Sequence, residues 1–139
     1  MDARVVEAAR AWLGTPYHHQ GSCRGVGTDC LGLIRGVWRD VFGVEPELPP
    51  AYSADWAEAS GEETLLAAAG RHLASVEGNT VAAGHVLVFR FRARTVAKHV
   101  GIATGTDRFI HAAEGVAVSE VYLSHWWRRR IAGVFQFPE

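Results

Sequence analysis

Gly25-Val26-Gly27-Thr28-Asp29-Cys30-Leu31-Gly32-Leu33-Ile34-Arg35-Gly36-Val37-Trp38 is a glycine-studded loop that runs into an apolar stretch with helical spacing. Thr28 or Asp29 can cap this helix, Leu33, Ile34, Val37, Trp38, Val41 and Phe42 supply its buried stripe, and Gly43 marks its end. Cys30 therefore sits at the positive end of a helix. There, unpaired backbone N–H groups and the macrodipole favour thiolate over thiol, the form that attacks a carbonyl carbon. The placement makes Cys30 a candidate nucleophile, with its own backbone N–H as a natural oxyanion donor.

Upstream, Asp2 can cap a first helix with Val5, Val6, Ala9, Trp12 and Leu13 at three-four spacing, stopped by Gly14 and kept from resuming by Pro16. Downstream, Glu45-Pro46-Glu47-Leu48-Pro49-Pro50 predicts an extended connector. Ser60-Gly61-Glu62-Glu63 fits a capping box ahead of a helix through Leu65, Leu66, Ala69 and Leu73. From Gly84 onward the composition turns to short β-prone runs, at 86–91, 100–103, 109–112, 116–121 and 131–137. The class expected is α+β, with N-terminal helices, the cysteine-bearing one among them, and a C-terminal sheet.

Thr104-Gly105-Thr106-Asp107-Arg108 predicts a hairpin turn between the second and third runs. A loop centred on Gly105 would set His99 directly opposite His111, on one face and close enough for their rings to bond. Val100 and Ile102 would then look toward a core, while Gly101 would leave space for the cysteine helix. In that arrangement Cys30 supplies sulfur, His99 takes and returns a proton, and His111 holds the His99 ring through its other nitrogen. Asp29 can cap the helix and also stabilise an imidazolium or a cationic substrate group, although its charge opposes thiolate formation.

The two cysteines, Cys23 and Cys30, admit a local disulfide, a metal site with His18 and His19, or one reactive thiol beside a bystander. The lack of an export signal in the first residues tells against the disulfide, and the lack of short paired ligand spacings against the metal. We expect no metal and no cofactor. With 139 residues, 48% hydrophobic and 21% charged, the chain suits one core, hence a single domain over 1–139. A formal net charge of -1 gives no overall attraction to nucleic acid or anionic lipid, and no apolar stretch is long enough to span a bilayer. In His125-Trp126-Trp127-Arg128-Arg129-Arg130 we expect tryptophans that cover a core edge and arginines that face solvent or acidic neighbours, not a base-stacking platform. Alternation along a strand would put Arg90, Arg92 and Arg94 on its solvent face, and Lys98 could border the cleft.

Gly14-Thr15-Pro16-Tyr17, Asp29-Cys30-Leu31-Gly32-Leu33, His99-Val100-Gly101-Ile102 and Phe109-Ile110-His111 resemble, in order and context, the NlpC-type papain-like cysteine peptidases of bacterial cell walls. The resemblance implies a papain-like α+β fold, the cysteine helix packed on an antiparallel sheet, and endopeptidase cleavage in the peptidoglycan stem peptide, commonly at a D-γ-glutamyl to diamino-acid bond. It maps Cys30 to the nucleophile, His99 to the base, His111 to the orienting third residue, Tyr17 to a tyrosine near the oxyanion site, and Asp29 to an acidic residue that in some members reads a free amine. Leu31 stands where many relatives have serine, and Tyr17-His18-His19-Gln20-Gly21 replaces a stretch that more often ends in paired glycines. The Asp29–Leu33 variant and Tyr52-Ser53-Ala54-Asp55-Trp56 resemble the phage-associated branch. That branch implies synthesis in the cytoplasm without a signal peptide, phage-like tail or baseplate partners, and action at the wall on its peptide. The alternatives are a tail-tip docking protein on the same scaffold and a thiol-dependent amidase or acyltransferase.

Overall fold

The structure is a computed structural model and describes residues 2–46 and 63–138. Most of the connector at 45–50, Ser60 of the expected capping box and the 52–56 segment lie outside them.

Helix α1 (Asp2–Arg10) is followed by a tight turn, not by four more helical residues, and Gly14 ends that turn at φ +85°. Leu13, expected inside, is 40% exposed because the tightened turn rotates it outward, whereas Trp12 is buried and donates Nε1–H to Asp40 Oδ2 at 2.9 Å. A short hairpin of β1 (Ser22–Cys23) and β2 (Gly27–Thr28) organises the loop read only as glycine-rich, and leads into α2 (Cys30–Phe42). Asp29 caps α2 by accepting from Gly32 N–H at 2.8 Å, and Gly43 closes it at φ +95°. Trp12, in the turn after α1, packs on α2 at Gly36, where any side chain would overlap its ring.

Helix α3 (Thr64–His72) has Glu63 as its N-cap residue with no side-chain cap bond. The expected reciprocal box is absent on this side. Glu63 instead accepts from Ala97 N–H at 2.8 Å and from Arg90 at 2.8 Å, tying the start of α3 to the loop before the histidine strand.

Strands β3 (Ala74–Ser75), β4 (Val86–Phe89), β5 (His99–Ala103), β6 (Arg108–His111), β7 (Ser119–Tyr122) and β8 (Ile131–Gln136) form a six-stranded antiparallel sheet of order β3-β8-β4-β5-β6-β7. Helix α4 (His125–Arg128) joins β7 to β8. Strand β4 stops at Phe89, so Arg92 and Arg94 are exposed in a turn and not on a strand face, while Arg90 is pinned by Glu63 and by Thr95 O.

Each face of the sheet carries its own core. Val86, Val88, Val100, Ile102 and Ile110 pack with Val5, Ala9, Trp12, Leu33 and Val37 under the helices. Leu87, Phe89, Ala103, Phe109, Leu123 and Val134 form the second cluster, with Trp127 against it. No helix of the described residues is long and apolar enough to cross a membrane.

Candidate active site

The β5–β6 hairpin is offset by two residues from the expected register, with His111 opposite Gly101 and Ala103 opposite Phe109. An even offset leaves every side chain on its face, so His99 becomes the diagonal neighbour of His111 and their rings still meet. His99 Nε2 and His111 Nδ1 are 2.8 Å apart, and both residues are buried. A Cβ on Gly101 would lie 2.8 Å from Phe109 Cδ2 and 3.2 Å from His111 Cβ. The glycine thus makes room for the neighbouring strand's side chains, not for the cysteine helix.

That helix lies on the other face, against Val100 and Ile102. Its sulfur reaches β5 at the strand's beginning, where pairing with β6 has ended at Gly101 and leaves the backbone uncovered. Cys30 Sγ lies 3.9 Å from Lys98 O, and a backbone hydrogen bond from Val100 also acts on it. The thiol is therefore held between the peptide groups that flank His99. Among the described residues no hydrogen bond joins Sγ to a ring nitrogen; the resting thiol donates to the Lys98 carbonyl.

Protonation follows from burial. Desolvation, and next the Asp29 carboxylate, push the Cys30 thiol up to about 12, against the smaller pull of the Val100, Leu31 and Cys30 backbone groups. The thiolate expected from the helix end is thus outweighed. Desolvation together with His111 pushes His99 down to about 3, and desolvation pushes His111 down to about 4. The resting site holds a neutral thiol and two neutral imidazoles. Much of the dryness comes from Trp127, which stacks on His99 at 5.6 Å and 28° and meets His111 edge-on at 5.3 Å. Phe91 lies 5.5 Å from the His99 ring. Neither aromatic had a role beyond core cover in the sequence. The only signal was the Trp126-Trp127 pair, whose target depends on a long-range chain reversal.

Tyr17 is half-buried near Cys30 and makes a parallel bridge with Thr28. Burial, then the charges of Asp29, Cys30 and Glu114, push its phenol up to about 12, so it stays a neutral donor. Asp29 is 3% exposed; besides capping α2 it accepts from Gln20 N–H at 2.8 Å, with His19 Nδ1 at 4.0 Å. Its carboxylate primarily holds the Cys30 turn together. Gly32 belongs to the same device, since a side chain there would overlap Gly21 O. Cys23 is a free, exposed thiol, and among the described residues no group of three or more His, Cys, Asp or Glu is placed to hold a metal ion.

Residues 14–134 match the model of the NlpC/P60 family. The chain belongs to the NlpC/P60 family. It is 31% identical over 137 residues, 98% of this chain and 29% of the relative, to a gamma-DL-glutamyl hydrolase of Bacillus subtilis (strain 168). It is 28% identical over 129 residues, 91% of this chain and 58% of the relative, to murein DD-endopeptidase MepS/murein LD-carboxypeptidase of Escherichia coli (strain K12). The chain thus spans less than two thirds of either NlpC/P60 relative. Among solved structures, the NlpC/p60 domain of peptidoglycan hydrolase SagA superposes with a TM-score of 0.66 at 24% identity, covering 99% of both chains. An NlpC/P60 family protein from Bacillus cereus gives 0.70 at 18% identity, covering 99% of this chain and 40% of the other. These likenesses establish the papain-like α+β fold of the family.

Proposed function

We propose that this protein is a cysteine endopeptidase that hydrolyses an amide bond in cell-wall peptide, with Cys30 as nucleophile, His99 as base and His111 as the residue that orients it. The observation that carries the reading is the convergence of three groups at the start of β5. The sulfur is held against the Lys98 and Val100 backbone, and the Nε2 of His99 is engaged by His111. That engagement leaves Nδ1 of His99 to take the thiol proton. Sulfur then attacks the carbonyl carbon, and the oxyanion accepts from the Cys30 backbone N–H and from the neutral Tyr17 hydroxyl. His99 returns the proton to the departing amine, and water, deprotonated by the same ring, releases the acyl group from sulfur.

Burial pushes the Cys30 thiol up and the His99 imidazole down, so both directions favour the neutral pair before substrate arrives. The relatives named as a murein endopeptidase and as a gamma-DL-glutamyl hydrolase support peptide of the wall, or a γ-glutamyl amide, as the substrate class. Delivery by a phage-like tail is part of the proposal and rests on the sequence resemblance of Asp29–Leu33 and of Tyr52-Ser53-Ala54-Asp55-Trp56 to the phage-associated branch. Digestion of defined muropeptides by wild type and Cys30→Ala tests the reading. New peptide termini from the wild type alone are expected, and equal products from both proteins would exclude thiol catalysis.

A further inference from the structure

Loop 90–98 joins β4 to β5 and ends where the site begins: Lys98 O lies 3.9 Å from Cys30 Sγ, and His99 is next in the chain. The loop's backbone is anchored at both ends, by Arg90 N–H to Arg130 O at 2.9 Å and by Lys98 N–H to Phe89 O at 3.1 Å. On the other edge of β5 the pairing with β6 stops at Gly101. The peptide groups that hold the thiol thus lie at an uncovered margin of the strand, and their position depends on how the loop before them is held.

Glu63, at the N-terminal end of α3, uses both carboxylate oxygens on that loop. Oε1 accepts from Ala97 N–H at 2.8 Å, one residue before the Lys98 carbonyl, and Oε2 accepts from Arg90 Nη1 at 2.8 Å. Arg90 Nη1 also donates to Thr95 O at 2.7 Å, and Thr95 closes a turn on Arg92 O through its N–H at 3.1 Å and its hydroxyl at 3.0 Å. One carboxylate therefore draws the first and the penultimate residues of the loop together and ties both to α3. The Ala97 N–H, against a smaller desolvation, and then the Arg90 guanidinium hold the Glu63 carboxyl below the usual carboxylate range, so the clasp is ionised at neutral pH.

As a contribution to stability the clasp is small, because the Glu63 side chain is 41% exposed and ion pairs this open to solvent add little. Its chemistry is nevertheless specific. A glutamine could accept from Ala97 N–H, but its amide N–H groups would then face the Arg90 donor. A pair that the fold can spare, one peptide away from the thiol's acceptor, is suited to holding geometry.

We propose that Glu63 is a positioning residue for the Cys30–His99 pair, and that its clasp on Ala97 and Arg90 sets the Lys98 carbonyl and the His99 ring at the approach to sulfur that proton transfer needs. The inference rests on the reading of these two residues as the reacting pair, but its test does not depend on turnover. Glu63→Ala, Glu63→Gln and Arg90→Met are compared with wild type in the labelling of Cys30 by a γ-glutamyl chloromethyl ketone, the maximal rate being separated from the half-saturating concentration, and in amide exchange over residues 90–98.

A misplacement of about 1 Å can cost about 10²-fold, so Glu63→Ala is expected to lower the maximal rate by about tenfold or more, with the half-saturating concentration within about twofold of wild type. Amide exchange should rise in 90–98 and not in β6. Glu63→Gln, which keeps the Ala97 acceptor, should recover part of the rate, and Arg90→Met should fall between wild type and Glu63→Ala. Gly36→Ala is the control for stability alone and should lose labelling only in proportion to its unfolded fraction. Circular dichroism checks folding, and if Glu63→Ala does not fold the other two variants decide. An unchanged maximal rate overturns the proposal, whether or not exchange rises, as does a loss that follows the unfolded fraction. Failure of the peptidase reading looks different: the rate still falls in the Glu63 variants, yet wild type and Cys30→Ala give the same products from muropeptides.

Discussion

The two faces of β5 are equally dry and put dryness to different uses. On one, Val100 and Ile102 meet Leu33, Val37 and Trp12 in an aliphatic core where burial stabilises the fold. On the other, His99 lies with Phe89, Phe109, His111 and Trp127 in an aromatic enclosure, where burial costs stability if the rings are charged and therefore keeps them neutral. The strand joins a packing surface to a reactive one across its own thickness. Cys30 belongs to the packing side by its helix and to the reactive side by its sulfur, which comes in at the strand's end.

If the difference between the faces is real, they should break differently. The largest effect belongs to His99→Ala, which should lower kcat of the folded protein by roughly 10²- to 10⁴-fold, the usual contribution of a general base, while the cavity and the unpartnered His111 ring cost about 1 to 3 kcal/mol of stability. Steady-state assays paired with thermal melts check this, and a collapsed melt with proportionate loss of activity would erase the distinction. On the helix side only the stability cost is expected. Gly36→Ala forces a methyl into the Trp12 ring and should cost about 1 to 3 kcal/mol in chemical denaturation, with kcat of the folded fraction retained.

Trp127→Ala sharpens the comparison. Opening the enclosure readmits water, so His99 should rise from about 3 toward the ordinary value of about 6.5, and the acid limb of the kcat/KM profile should move up by about one unit or more. An unmoved limb would show that the indole only fills space. The smallest effect is on wild-type stability. Both imidazoles have folded-state values below their unfolded one, so their neutral forms contribute stability that is complete above about pH 6.5. It is lost as pH falls toward about 4 and 3, where the buried rings must take up protons. Melts from pH 7 to pH 4 should decline, and His99→Leu should decline less steeply.

The ends of α2, the strands of the second half and the face shared by His99 and His111 were legible because they depend on local chemistry: a capping carboxylate, a closing glycine, a period of two. The register was not, since loop composition left a shift of two residues open, and such a shift keeps the pattern of faces intact. Which face the cysteine helix covers was also hidden, because Val100 and Ile102 suit any core. The helix end that favours a thiolate is a local feature, whereas the desolvation that pushes the Cys30 thiol up depends on the folded surroundings and is not written in the loop. Glu63 left its expected box because Ala97 N–H and Arg90, more than twenty residues away, offered better partners.

The central claim, that sulfur chemistry at Cys30 depends on the imidazole of His99, is tested most directly by mapping the adduct of a γ-glutamyl peptide carrying a thiol-directed electrophile. Mass spectrometry should place the label on Cys30 in the wild type and find it nearly lost in His99→Ala, with the exposed Cys23 unlabelled in both. Equal labelling of Cys30 with and without His99, or a label confined to Cys23, would contradict it.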